Sequence, residues 1–69
     1  MCMTTEQLRL ALTELNGLRD VRVAFDHAPS LLVRKALLIP KESDTLIKIT
    51  DGSHIFLVDA GRVAWIEIG

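Results

Sequence analysis

The chain has 69 residues, 49% of them hydrophobic but only 4% aromatic, with a formal net charge of −1 and one cysteine. That length can close one small core and not two, and the charge offers no global attraction for phosphate backbones. A lone cysteine permits neither an intrachain disulfide nor a cysteine metal cluster. The mean hydropathy of +0.32 is high for so small a domain and points to an apolar patch covered by association.

MCMTTEQLRL lacks a basic segment followed by an apolar stretch, and no apolar run approaches the roughly 20 residues that span a bilayer. The expectation is a cytoplasmic chain with no membrane partner. TTEQLRLALTELNGL reads as a helix over about 4–16. Thr4 and Gln7 have capping-box spacing, and Met3 is placed to close over Leu8 as a hydrophobic staple. Leu8, Ala11, Leu12 and Leu15 recur as one apolar stripe, with Leu10 outside it. Gly17 stands where a left-handed residue ends a helix, and Leu18 where a residue packs back on the last turn.

Strands follow at about 21–25, 31–39, 45–50, 54–58 and 63–68. VRVAF alternates, with Val21, Val23 and Phe25 on one side and Arg22 and Ala24 on the other. Residues 26–30 read as a turn. LLVRKALLI shifts its inward phase around Arg34 and Lys35, as a long strand bent or bulged across a corner does. Asp51-Gly52 predicts a two-residue hairpin turn with positive φ at both positions. Residues 59–62 form a short Gly-containing turn. The two apolar runs that flank it carry oily residues on both faces, so an edge of that composition is expected to pair with another subunit.

This order of elements, helix, VRVAFDH, a bent LLVRKALLIP, a strand closed by TDG, then FLVDAGRVAWIEI, resembles the Sm-like family of Sm, LSm and Hfq proteins over essentially the whole chain. The resemblance implies a mainly β fold with an N-terminal helix: a five-stranded, strongly bent antiparallel barrel, partly open, as a single domain over 1–69. It also implies a cyclic homo-oligomer closed by the last two strands, with Ile55, Phe56, Leu57, Val58, Val63, Trp65 and Ile66 at the subunit interface, and single-stranded RNA as ligand. The family's turn between those strands is basic, Arg-Gly then Asn, or Lys-His in the bacterial branch; here it reads Asp59-Ala60-Gly61-Arg62. The loop before the third strand offers Asp44 but no asparagine. The alternative is an assembly or interaction protein with this fold that binds no RNA.

In a meander, loops 41–44 and 59–62 share one end and turns 26–30 and 51–52 the other. The first end gathers Lys41, Glu42, Asp44, Asp59 and Arg62. Repeated around a ring, Lys41 and Arg62 would make a cationic circle, with Asp44 beside it as the third candidate RNA contact; the plainer reading is a solvated rim of mixed charge. At the second end His27 and His54 with Asp26 and Asp51 could approach one another, but turn chemistry explains both aspartates, and neither a metal nor any other cofactor is expected. Trp65, in phase with Val63, suits either base stacking or an interface anchor. Cys2 lies in a frayed terminus without an orienting base, so no catalytic group is assigned and an enzyme is not expected.

Overall fold

The computed structural model describes residues 4–44 and 46–69. Cys2, Met3 and Thr45, invoked above for a thiol, a helix staple and the start of a strand, lie outside the described residues.

The helix start follows the local chemistry of its sequence. The Gln7 N–H donates to the Thr4 hydroxyl at 3.1 Å, and the Thr4 N–H donates to the Gln7 side-chain oxygen at 3.0 Å. This reciprocal capping box satisfies two backbone donors that the first turn would otherwise leave free. The helix α1 covers Thr5–Leu12 and is shorter than expected. Thr13 turns its hydroxyl back to the Leu10 carbonyl at 2.6 Å, a local bond that competes with helix continuation. Leu8, Leu12 and Leu15 are buried in one stripe. Gly17 is left-handed at φ 83°, yet its N–H goes to the Ala36 carbonyl at 3.0 Å instead of closing the helix. Leu18 does not pack back on the last turn; it is 79% exposed.

Six strands follow: β1 (Val21–Phe25), β2 (Ala28–Val33), β3 (Leu37–Leu38), β4 (Ile47–Thr50), β5 (Ile55–Val58) and β6 (Val63–Ile68). They form two three-stranded antiparallel sheets, in the orders β2-β1-β6 and β3-β4-β5. The expected 31–39 strand is thus two strands, and the sheets do not join as a closed barrel. The break lies where the phase shift was read. Lys35 adopts a left-handed φ of 48°, its N–H donates to the Asp20 carboxylate at 3.0 Å, and the Ala36 N–H donates to the Arg19 carbonyl at 2.8 Å. Backbone groups released from the ladder are satisfied by the 17–20 loop, as buried backbone requires.

The chain crosses between sheets a second time through a 3-10 turn at Ala60–Arg62. Each crossing carries a buried alanine, Ala36 or Ala60, because a larger side chain would meet the core where the two sheets approach. Val21, Val23, Val33 and Val63 from the first sheet and Ile47, Ile49 and Val58 from the second face inward beneath the helical leucines. Full burial of such a side chain is worth roughly 1.5–3 kcal/mol. No polar residue is buried among those described.

Two turns differ from expectation. The turn after β1 is only Asp26-His27, since Phe25 pairs with Ala28, and His27 supplies the positive φ of 59°. Pro29 falls in β2 where the register with β1 shifts, a position at which a missing N–H is tolerated. The Asp51-Gly52 hairpin is a four-residue loop, because Thr50 pairs with Ile55. Only Gly52 in it has positive φ, and Asp51 accepts the N–H groups of Ser53 at 2.8 Å and His54 at 2.7 Å. The Asx geometry of Asp51 outcompeted the tighter turn.

The corner at Lys35 generates a prediction. Lys35→Val places a β-branched residue in the left-handed region and is expected to lower stability by about 1–2 kcal/mol, whereas Lys35→Gly is not expected to lower it. Asp20→Ala, which removes the acceptor for the same N–H, should cost about 1 kcal/mol. Urea unfolding at one fixed protein concentration measures all three.

Candidate functional site

The end of the molecule expected to carry ligand contacts is built by the 39–46 loop and the 3-10 turn. Arg9 of α1 anchors the loop at both ends, donating to the Leu46 carbonyl at 3.0 Å and to the Ile39 carbonyl at 3.5 Å. Lys48 of β4 anchors it from the other side, with its ammonium against both Glu42 and Asp44, the latter at 3.1 Å. Asp44 also accepts the Leu46 N–H at 3.1 Å. The hydrogen bond from Lys48, then that from Leu46, holds the Asp44 carboxyl below its ordinary range. Glu42, then Asp44, holds Lys48 above its own. One of the three candidate RNA contacts, Asp44, is therefore committed to holding its own loop.

Lys41 is exposed and lines an open hollow of about 370 Å³ with Thr5, Glu6 and Arg9. Arg62 is exposed as well, with its guanidinium 3.8 Å from Asp59. Asp59 caps the 3-10 turn by accepting the Gly61 N–H at 3.0 Å, which gives the acidic residue a local structural task. A second hollow, of about 320 Å³, is lined by Thr5, Leu46, Leu57, Val58, Asp59 and Ala60. Thr5 borders both hollows, so the start of α1 lies near both Lys41 and Asp59. Arg62 lines neither hollow.

The histidines do not meet. Because β1 and β6 are antiparallel with Phe25 opposite Val63, the Asp26-His27 turn lies beside the 3-10 turn, and the Asp26 N–H donates to the Arg62 carbonyl at 2.9 Å. The expected grouping of turns 26–30 and 51–52 is corrected accordingly. His54 precedes β5 at the strand's other end, 3.5 Å from Asp51 and with its ring 6.2 Å from that of Phe56. Among the described residues no three of His, Cys, Asp and Glu are grouped to hold a metal ion.

The apolar runs at 55–58 and 63–68 separate into two kinds of residue. Val58 and Val63 are buried in the protomer's own core, and Phe56 and Ile66 are packed against it. Ile55 at 63%, Leu57 at 62% and Trp65 at 50% remain exposed. Trp65 does not share a face with Val63. Ala24 pairs with Trp65 but Phe25 pairs with Val63, so Ala64 is an extra residue, a bulge that inverts the alternation. β5 and β6, like β2 and β3, are outer strands of their sheets, and among the described residues each has a side with no neighbouring strand. Arg9 and Lys48 organise this end and were not singled out from the sequence; each looked like an ordinary polar-face cation, and only the fold brings them to the loop. Asp20 was missed for the same reason.

The described helix is not long and apolar enough to cross a membrane. Comparison with protein-family models, with curated proteins and with solved structures finds no match.

The Asp51 loop sets a pH dependence. The N–H groups of Ser53 and His54 lower the Asp51 carboxyl below the ordinary 3.8, so its contribution is complete above the ordinary value and is lost as pH falls through the lower, folded one. Asp51→Asn keeps an acceptor oxygen but no titratable charge. Its urea midpoint should therefore fall less steeply than that of the parent between pH 5 and pH 2, whereas parallel profiles would show that Asp51 contributes nothing to acid sensitivity.

Proposed function

We propose that the protein is a self-assembling binding module: copies with the Sm-like, partly open barrel join through the free edges of β5 and β6 into a cyclic homo-oligomer. The observation that carries this reading is that two of the four sheet edges, β5 and β6, carry the most exposed large apolar side chains of the strands, Ile55 and Leu57 on one and Trp65 on the other. Exposed apolar edges favour pairing with another chain unless they are covered. The 3-10 turn keeps the two edges of one chain in different sheets, so in a ring one neighbouring copy would cover β5 and another β6.

The ligand proposed for the assembled module is single-stranded RNA, held through phosphate contacts to Lys41 and Arg62 repeated around the ring. What favours this is that Lys41 is exposed without an ion pair among the described residues and that the side chain of Arg62 is 73% exposed. A second reading, an assembly or interaction protein that binds no RNA, is favoured by Asp59 beside Arg62 and by the commitment of Asp44 to Lys48.

Two measurements test these readings. Light scattering should give a discrete oligomer for the parent chain and a folded monomer for Leu57→Asp, since an exposed substitution costs the protomer only about 0.5 kcal/mol; a monomeric parent would refute assembly. Titration of a U-rich or A-rich single strand should show salt-dependent binding that Lys41→Ala and Arg62→Ala both weaken. No binding at low salt by an intact oligomer would establish the second reading.

A further inference from the structure

We infer that a hollow on the outer face of the first sheet binds a zwitterionic aliphatic amino acid, a function that does not depend on self-assembly. Strand alternation brings its residues together. On β1, Val21 and Val23 are buried in the core, which turns Arg22 outward. Arg22 is paired across the sheet with Leu32 of β2 on one side and Glu67 of β6 on the other. Two positions from Leu32, past the buried Val33, the exposed Arg34 falls on the same face. Asp20 stands one step before β1 and is joined to Gly69 by two backbone hydrogen bonds, at 3.2 and 3.0 Å. Together these six residues line a hollow of about 360 Å³, within the size range of small-ligand sites.

Groups of three kinds line the hollow, and the bonds each already makes decide what it can take. Arg22 lies 3.8 Å from Glu67, beyond hydrogen-bond length. The Arg34 side chain has no hydrogen bond or ion pair among the described residues. Two guanidinium forks with unused donors suit a carboxylate. Leu32 is 43% exposed and offers an apolar surface beside them. Asp20 spends one carboxylate oxygen on the Lys35 N–H, so Glu67, with its side chain 69% exposed, is the carboxylate left to receive an ammonium. Two cations and two carboxylates leave the hollow neutral, and a bare phosphate there would be repelled as well as attracted. A ligand with one charge of each sign and an aliphatic body matches all three kinds of group. Its carboxylate lies on Arg22 and Arg34, its ammonium on Glu67 and its side chain on Leu32. An α-amino acid carries those three parts on one carbon.

Titration of the isotope-labelled chain with L-leucine, followed by amide NMR, tests the site. Shifts should concentrate at the amides of Arg22, Leu32, Arg34 and Glu67 and saturate with a Kd on the order of millimolar, the range open to a ligand of so few atoms. Arg22→Gln and Arg34→Gln should each weaken binding about tenfold. L-leucine amide, which keeps the ammonium and lacks the carboxylate, should not bind. N-acetyl-L-leucine, which lacks the ammonium, should bind the parent about tenfold more weakly than L-leucine does, and Glu67→Gln should weaken L-leucine without weakening the acetylated form. All three substituted side chains are exposed, so urea midpoints close to the parent's are expected and separate lost binding from lost fold. The inference is overturned by the absence of a saturable shift with L-leucine, by equal binding of N-acetyl-L-leucine to the parent, or by tighter binding of inorganic phosphate, which would mark a simple anion site.

Discussion

The two-sheet architecture depends on the corner at Arg34–Ala36. There a run of apolar residues long enough for one strand is divided, and the division is enforced by hydrogen bonds from outside the run. Asp20 takes the Lys35 N–H, the Arg19 carbonyl takes the Ala36 N–H, and the Ala36 carbonyl takes the Gly17 N–H. Three backbone groups that a continuous strand would offer to a ladder are thereby satisfied by the loop following the helix. Once the corner is set, β2 must continue with β1 and β3 with β4, so the two sheets face each other and enclose the valines and isoleucines. The positive φ of Lys35 is the local cost, of the order of 1 kcal/mol, and the bonds to the loop offset it.

The second crossing has the opposite character. At Ala60–Arg62 the chain supplies its own satisfaction: Asp59 caps the turn, and the Arg62 N–H returns to the Asp59 carbonyl at 3.0 Å. A self-contained turn does not draw β5 and β6 into one ladder. The result is a fold with one side sewn together by the helix loop and the other side open, where the outward residues of β5 and β6 are the least covered apolar groups in either sheet. Position in the topology, rather than composition alone, leaves these outward residues uncovered by the chain's own strands.

Much of this was legible in the sequence wherever the signal was local. The capping box at Thr4 and Gln7, the helical stripe, the alternation of β1 and the span of β6 depend on neighbours within a few residues, and the structure has them. The helix length, the Asp51-Gly52 turn and the break at Lys35 were decided by side-chain bonds to backbone, from Thr13, Asp51 and Asp20, that compete with regular structure and have no periodic signature. The phase of Trp65 was hidden for another reason. A bulge adds one residue to a strand, and the alternation of VAWIEI reads equally well with Trp65 in or out until the partner strand fixes the register. The candidate site shows the same division: Lys41 and Arg62 were visible as charges in loops, but the roles of Arg9 and Lys48 arise only when a helix and a strand distant in sequence close on the same loop.

That division bears on what the rim can recognise. A charge is available to a ligand only to the extent that the fold has not already used it, and here the loop has consumed Asp44, Glu42 and Lys48 among themselves, while Arg9 spends its donors on two carbonyls. Among the described residues Lys41 has no ion pair, and Arg62 keeps most of its side chain in water with Asp59 at 3.8 Å. An exposed pair at that distance is worth little in water, so a phosphate could take Arg62 from Asp59 at small cost. One protomer would then offer two cations, too few to hold a strand against physiological salt. In the ring we propose, repetition of the same pair would raise the number of phosphate contacts to where counterion release becomes substantial, so the RNA affinity of that proposal belongs to the assembly and not to the single chain.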